Sequence, residues 1–237
     1  MDFKNNINQE VLIDKFDRIV DYVRISVTDR CDFRCVYCMD DEMEFVPRAQ
    51  LLTLEEISKI ALAFTELGVK KIRITGGEPL IRRNVIQLFE NIGQLPGLDE
   101  LVLTTNGSQL KKFARPLKDA GVKRINISLD SLNVDRFKRI TRVGELNNVL
   151  SGIDAAIKVG FEKIKLNTVI LKNRNDDEII NLVQYASDRD MDISFIEEMP
   201  LGVIGDHDRA ELYYSSDQIK NVLDKEFTLV PTTETTG

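Results

Sequence analysis

The chain has 237 residues, 43% of them hydrophobic and 30% charged, enough to bury the core of one barrel-sized α/β domain. A formal net charge of −7 and a pI near 5.0 argue against a general nucleic-acid-binding surface. The first residues lack an apolar signal core, no window approaches the ~18 apolar residues of a membrane span, and the cysteines are too few and too clustered for a disulfide framework, so a cytoplasmic protein with no membrane partner is expected.

After an N-terminal segment (1–20), short strand-like runs alternate with helical patterns. The runs are "YVRISVT" (22–28), "KKIRIT" (70–75), "ELVLTT" (100–105), "KRINIS" (123–128), "KIKLNTVI" (163–170) and "DISFIE" (192–197). The first is followed by "SVTDRCDFRCVYCMDDEMEF", which holds every cysteine in the chain. Thr53 and Glu56 then form a capping box ahead of Ile57, Ile60, Ala61, Phe64 and Leu67, and Gly68 ends that helix. Helical faces also run through "NVIQLFENI", "NNVLSGIDAAIKVG", "DDEIINLVQYASD" and "SSDQIKNVLDKEF". In "SQLKKFARPLKDAG" a helix is expected to kink or restart at Pro116. Six β/α units in succession predict an α/β fold with a parallel sheet, first as a partial (β/α)6 barrel of the TIM type, second as an open doubly wound sheet.

The strands alternate in character. Ile25, Ile72, Ile74, Ile125, Ile127, Ile164 and Leu166 fall on one face; Arg24, Ser26, Arg73, Thr75, Asn126, Ser128, Lys165 and Asn167 fall on the other. If the apolar face meets the helices, the polar face lines the interior. Cations there need partners, so an open, wet cavity for a large polar ligand is expected, with Arg24, Arg73 and Lys165 suited to phosphate. The competing arrangement is a solvated outer face of an antiparallel sheet.

Cys31, Cys35 and Cys38 follow the spacing C-x3-C-x2-C. Three thiolates in one loop suit a soft metal centre. An iron-sulfur cube ligated by three cysteines leaves one iron without a protein ligand, and an open iron is a reaction site. A structural zinc site would need a fourth ligand, such as the distant His207 or a carboxylate, and three unconnected thiols are the remaining alternative.

C-x3-C-x2-C after the first strand, with Tyr37 before the third cysteine, resembles the radical S-adenosylmethionine (SAM) superfamily; "TGGEP" (75–79) resembles its Gly-Gly-Glu motif. Glycines at that strand end are expected to let the backbone approach a ligand, and Glu78 to accept from a bound ammonium. "RISVTDRCDFRCVYCM", "KKIRITGGEPLIRR", "LTTNG", "RINISLDSL" and "IEEMPLG", in that order, are similar to the MoaA family of GTP 3',8-cyclases from about Asp17 to about Glu226.

That resemblance implies that Cys31, Cys35 and Cys38 bind a 4Fe-4S cluster. It implies SAM contacts at Tyr37, Gly77, Ser128 and Met199, and GTP contacts at Arg24, Arg73, Thr104 and Lys165. The implied reaction is reductive cleavage of SAM, hydrogen abstraction from the ribose C3' of GTP and attack on guanine C8, opening molybdenum cofactor biosynthesis. The implied partners are GTP, a reducing electron donor of the flavodoxin or ferredoxin type, and a downstream cyclic pyranopterin monophosphate synthase; a homodimer is compatible with the family.

The resemblance has gaps. Asp40 stands where the family usually has proline, and no fourth cysteine supplies the family's second, C-terminal cluster. The expectation is a radical SAM barrel over 21–226 and the start of a truncated C-terminal region over 227–237, a piece without normal cyclase activity by itself. The alternatives are a single-cluster radical SAM enzyme acting on another substrate and a non-catalytic zinc-binding module.

Overall fold

A computed structural model describes residues 11–39, 43–199 and 208–233. Asp40, His207 and the end of "IEEMPLG" lie outside the described residues. All six predicted strands are present: β1 (Tyr22–Ser26), β2 (Lys71–Thr75), β3 (Glu100–Thr105), β4 (Val122–Ser128), β5 (Lys163–Ile170) and β6 (Asp192–Glu197). They pair in parallel and in chain order, β1-β2-β3-β4-β5-β6. A doubly wound sheet reverses its order part-way along; this one does not, so the partial barrel is the arrangement adopted. The first strand stops at Ser26 rather than Thr28, because Val27 and Thr28 turn to meet the end of β2, where Gly77 N donates to Thr28 O at 2.7 Å.

Parallel neighbours in chain order require crossovers, which carry α1 (Leu54–Glu66), α2 (Val85–Gly93), α3 (Leu110–Asp119), α4 (Val134–Thr141), α5 (Leu146–Val159) and α6 (Ile179–Ser187) between strands, while α7 (Arg209–Leu212) and α8 (Ser216–Leu223) follow β6. The capping box at α1 is reciprocal: Glu56 N donates to Thr53 Oγ1 at 3.1 Å, and Thr53 N to Glu56 Oε2 at 2.7 Å. Buried Ile57 and Ala61 of α1 pack into the same core as Ile72 and Ile74 of β2 and Leu88 and Phe89 of α2. Each such large apolar side chain contributes roughly 1.5–3 kcal/mol when fully buried.

Two helical expectations change. Pro116 sits inside a continuous α3 instead of breaking it. It forfeits one bond, to the carbonyl of Lys112, on a side of the helix where Lys112 is exposed; buried Leu110, Ala114 and Leu117 hold the other side. The sequence pattern also missed α4. That helix is short and mostly polar, burying only Phe137, Ile140 and Thr141, and it starts because Asn133 Oδ1 accepts from Arg136 N at 3.0 Å.

Candidate active site

The cysteine loop leaves β1 at the carboxyl end of the sheet, where barrel sites are built. It is held from two directions. On one side Gly77 N and Glu78 N donate to Thr28 O and Arg30 O at 2.7 and 2.8 Å. On the other, Arg34 N and Val36 N donate to Thr141 O and Ile140 O, the last carbonyls of α4, at 3.0 and 2.9 Å. Helix ends carry unsatisfied carbonyls, so α4 offers the loop a ready seat. Phe33 packs edge-on against Phe137 of α4, with ring centroids 5.9 Å apart.

Gly76 and Gly77 are required by this junction. A Cβ at Gly77 would lie 2.2 Å from Arg30 O, and one at Gly76 2.4 Å from Thr28 O. Their small size therefore admits the protein's own cysteine loop, a reason the sequence reading had sought in a ligand. Glu78 differs from expectation too. It is fully buried, and its carboxylate accepts from Leu80 N (2.9 Å), Thr105 Oγ1 (2.8 Å) and Asn106 N (2.6 Å), tying the β2 loop to the end of β3. Burial outweighs these donors and raises its pKa from 4.5 to about 7.

Cys31 and Cys35 are half-buried and Cys38 is exposed. Burial pushes all three thiols up, Cys31 to about 11, with Cys35 also feeling Asp130 and both other cysteines. A buried thiol without a metal stays protonated; a bound cation converts it to thiolate. Among the described residues no three His, Cys, Asp or Glu side chains converge on a point that holds one metal ion. A cube in which each sulfur takes its own iron makes no such demand, so a loop in which Cys35 lies close enough to feel both other thiols fits the cluster.

Around the thiols lies a set of polar side chains, of which the sequence assigned a role only to Tyr37. Asn106 donates to Asp32 Oδ1 at 2.7 Å and approaches Cys31 Sγ at 3.6 Å, while Ser108 Oγ donates to Asp32 Oδ2 at 2.7 Å. Tyr37 donates its hydroxyl to Asp130 Oδ2 at 2.7 Å, and Asp130 Oδ1 accepts from Val169 N at 2.9 Å. Burial raises Asp130 from 3.8 to about 6. For Asn106 and Asp130 the sequence signal was a polar run directly after an apolar strand, in "LTTNG" and "LDSL".

Of the other SAM candidates, Ser128 ends β4 half-buried, while Met199 follows β6 and is exposed. The GTP candidates share the interior face. Arg24 pairs in register with Arg73, and Thr104, Asn126 and Lys165 are consecutive register partners across β3, β4 and β5. Arg24 is exposed, as an open cavity requires. Arg73 and Lys165 are buried instead, which corrects the expectation of a uniformly wet interior. Their burial is possible because the face supplies partners: Arg73 donates to Tyr22 Oη at 2.6 Å and Thr104 Oγ1 at 3.1 Å. Lys165 loses basicity through burial, opposed by Asp192 in the neighbouring strand. Glu100 also lies on this face and pairs with Lys71 at 2.8 Å and Arg124 at 3.3 Å. Buried Asn126 Oδ1 and Asp192 Oδ2 have no hydrogen-bond partner among the described residues, which suits a polar ligand on this face.

The profile of the radical SAM superfamily matches residues 25–186. A GTP 3',8-cyclase of Pseudomonas putida (strain W619) is 57% identical over 227 residues, covering 96% of this chain and 68% of the relative. One from Pseudomonas entomophila (strain L48) is 59% identical with the same coverage. Streptococcus suis SuiB bound to S-adenosylmethionine shares the fold, with a TM-score of 0.70 at 19% identity over 86% of this chain and 47% of that one. The chain belongs to the radical SAM superfamily and, within it, to the family of GTP 3',8-cyclases.

Proposed function

We propose that the chain carries the radical SAM chemistry of a GTP 3',8-cyclase, a lyase that converts GTP to (8S)-3',8-cyclo-7,8-dihydroguanosine 5'-triphosphate at the start of molybdenum cofactor biosynthesis. Cys31, Cys35 and Cys38 hold the 4Fe-4S cluster. When bound, the cluster and SAM together supply a one-electron cleavage and a carbon-centred radical able to take hydrogen from the ribose of GTP.

The chain's own residues do the rest. Asp32, Asn106 and Ser108 keep the first cysteine in place, and Asp130 fixes Tyr37 between the second and third. Gly77 and Ser128, at the ends of β2 and β4, and Met199 beyond β6, place SAM over the loop. Arg24, Arg73, Thr104 and Lys165 bind GTP along the interior face, where charge-assisted bonds to the triphosphate set the position of the sugar. The unpartnered Asn126 oxygen, between Thr104 and Lys165 in register, is an acceptor for the same ligand.

The observation that carries this reading is the cysteine loop itself: three thiols fixed at the carboxyl end of a parallel sheet beside a cationic face. The electron comes from outside, from a flavodoxin- or ferredoxin-type donor, and the product passes to a cyclic pyranopterin monophosphate synthase in the cytoplasm. The radical SAM unit spans residues 21–226, with 1–20 a preceding segment.

The test is anaerobic reconstitution with iron and sulfide, then reduction with SAM and GTP. About four irons per chain, release of 5'-deoxyadenosine and loss of both in Cys35→Ala are expected. One tightly held zinc per chain and no SAM cleavage would overturn the proposal.

A further inference from the structure

Two cavities border the cysteine loop, and arginine dominates both. The first, of about 250 Å³, is lined by Val36 of the loop together with Arg136, Arg139, Arg142 and Arg174, and among the described residues no carboxylate lines it. The second, of about 340 Å³, is lined by Thr28 and Arg30 at the start of the loop with Arg48, Arg82 and Arg83. None of these arginines belongs to the interior face proposed for GTP. Cys31 and Cys35 lie in the chain between Arg30 and Val36, and Cys38, two residues beyond Val36, is exposed.

The arginines are not all engaged internally. Arg136 is held by Asp177 and Glu178, and Arg82 by the carbonyls of Val27 and Leu52. Arg83, Arg139 and Arg174 are exposed, and their guanidinium groups make no hydrogen bond or ion pair with the described residues. Arg142 lines the first cavity at φ 62° and ψ −50°, an uncommon conformation for a side chain of its size. It directly follows Thr141, whose carbonyl seats the loop. A chain of net charge −7 thus sets the exposed guanidinium groups of Arg139 and Arg174 on one flank of its cysteine loop and that of Arg83 on the other.

We infer that these two arginine cavities form the docking surface for an acidic, one-electron donor protein that reduces the centre held by the cysteine loop. The inference rests on the radical SAM reading above and names where its reductant lands. In the step itself the donor is oxidised by one electron and the centre reduced by one; no bond breaks. Val36, in the wall of the first cavity, directly follows Cys35, so the landing site is one residue along the chain from a ligand of the centre. A small anion would occupy only one of the two cavities. Two cavities flanking the loop match the spread carboxylates of a protein surface. Guanidinium groups bind such carboxylates bidentately, and their charge steers an anionic partner into contact.

The experiment compares two reductants on the reconstituted chain, reading 5'-deoxyadenosine release. The exposed residues Arg139 and Arg83, one from each cavity, are reversed in Arg139→Glu, Arg83→Glu and the double variant. With a reduced, acidic flavodoxin as probe, the double variant is expected to need about tenfold more donor for half-maximal rate, and the steep fall of the wild-type rate with salt is expected to flatten. With dithionite, which needs no docking surface, all variants match the wild type. Unchanged flavodoxin kinetics in the double variant would overturn the inference, as would equal losses with both reductants, which would mark a structural role. Release of SAM cleavage by neither reductant in the wild type would instead reject the radical SAM reading. If millimolar inorganic phosphate or an RNA binds the wild type but not the variants while flavodoxin kinetics stay unchanged, the cavities are an anion or RNA site and the inference falls.

Discussion

Replacing Glu78 by glutamine keeps the shape of the side chain and removes its charge. Its carboxylate accepts three hydrogen bonds, two of them from backbone amides at Leu80 and Asn106. A glutamine amide can accept at one end only, so one of those N–H groups then faces another donor in a fully buried place, costing about 1–3 kcal/mol. Set against this is the cost of keeping a carboxylate ionised there, which lifts its pKa from 4.5 to about 7 and corresponds to roughly 3 kcal/mol. Between those values the folded protein binds a proton that the unfolded chain has released, so this group's contribution to stability falls as pH rises through the window. The wild type is therefore expected to exceed Glu78→Gln in stability near pH 5, and to lose about 3 kcal/mol of that margin by about pH 8. Urea unfolding followed by circular dichroism at several pH values measures the margin directly, and other titrating groups cancel in the difference. A margin that stays flat or widens with pH would refute the reasoning, because it would mean the three donors outweigh burial.

Other substitutions test other joints. Gly77→Ala puts a methyl group 2.2 Å from Arg30 O and is expected to displace the cysteine loop; iron retention after reconstitution should fall several-fold while circular dichroism stays helical. Arg73→Ala removes charge-assisted bonding worth about 1.5–3 kcal/mol, so GTP binding measured by calorimetry should weaken about tenfold or more with iron content unchanged. Asp32→Ala leaves Asn106 and Ser108 without their acceptor beside Cys31, and reconstituted iron should be lost faster to a chelator than in the wild type. Thr53→Ala removes one half of the α1 capping box and should cost about 1 kcal/mol in urea unfolding without affecting SAM cleavage.

The strands, the parallel order and the thiol loop were legible because each leaves a local trace: alternation along a strand, a capping pair three residues apart, three cysteines in eight positions. The alternation also separated the interior cations from the helix-facing isoleucines, and the register bears that division out. What it could not reveal was where each cation finds its partner. Arg73 reaches Tyr22 on one neighbouring strand and Thr104 on the other, so its burial depends on pairing between segments far apart in the chain.

The same limit explains α4 and the polar frame of the cysteine loop. A helix of eight mostly polar residues has little periodicity to recognise, yet its last carbonyls seat Arg34 and Val36. Tyr37 and Asp130 are 93 residues apart, and Asn106 and Asp32 are 74 apart. The sequence alone determined which residues form strands and which thiols can share a centre, since backbone sterics and side-chain period act over a few residues. Only the folded sheet decided which buried polar groups meet, because a hydrogen bond across that separation forms only after folding has brought its two ends together.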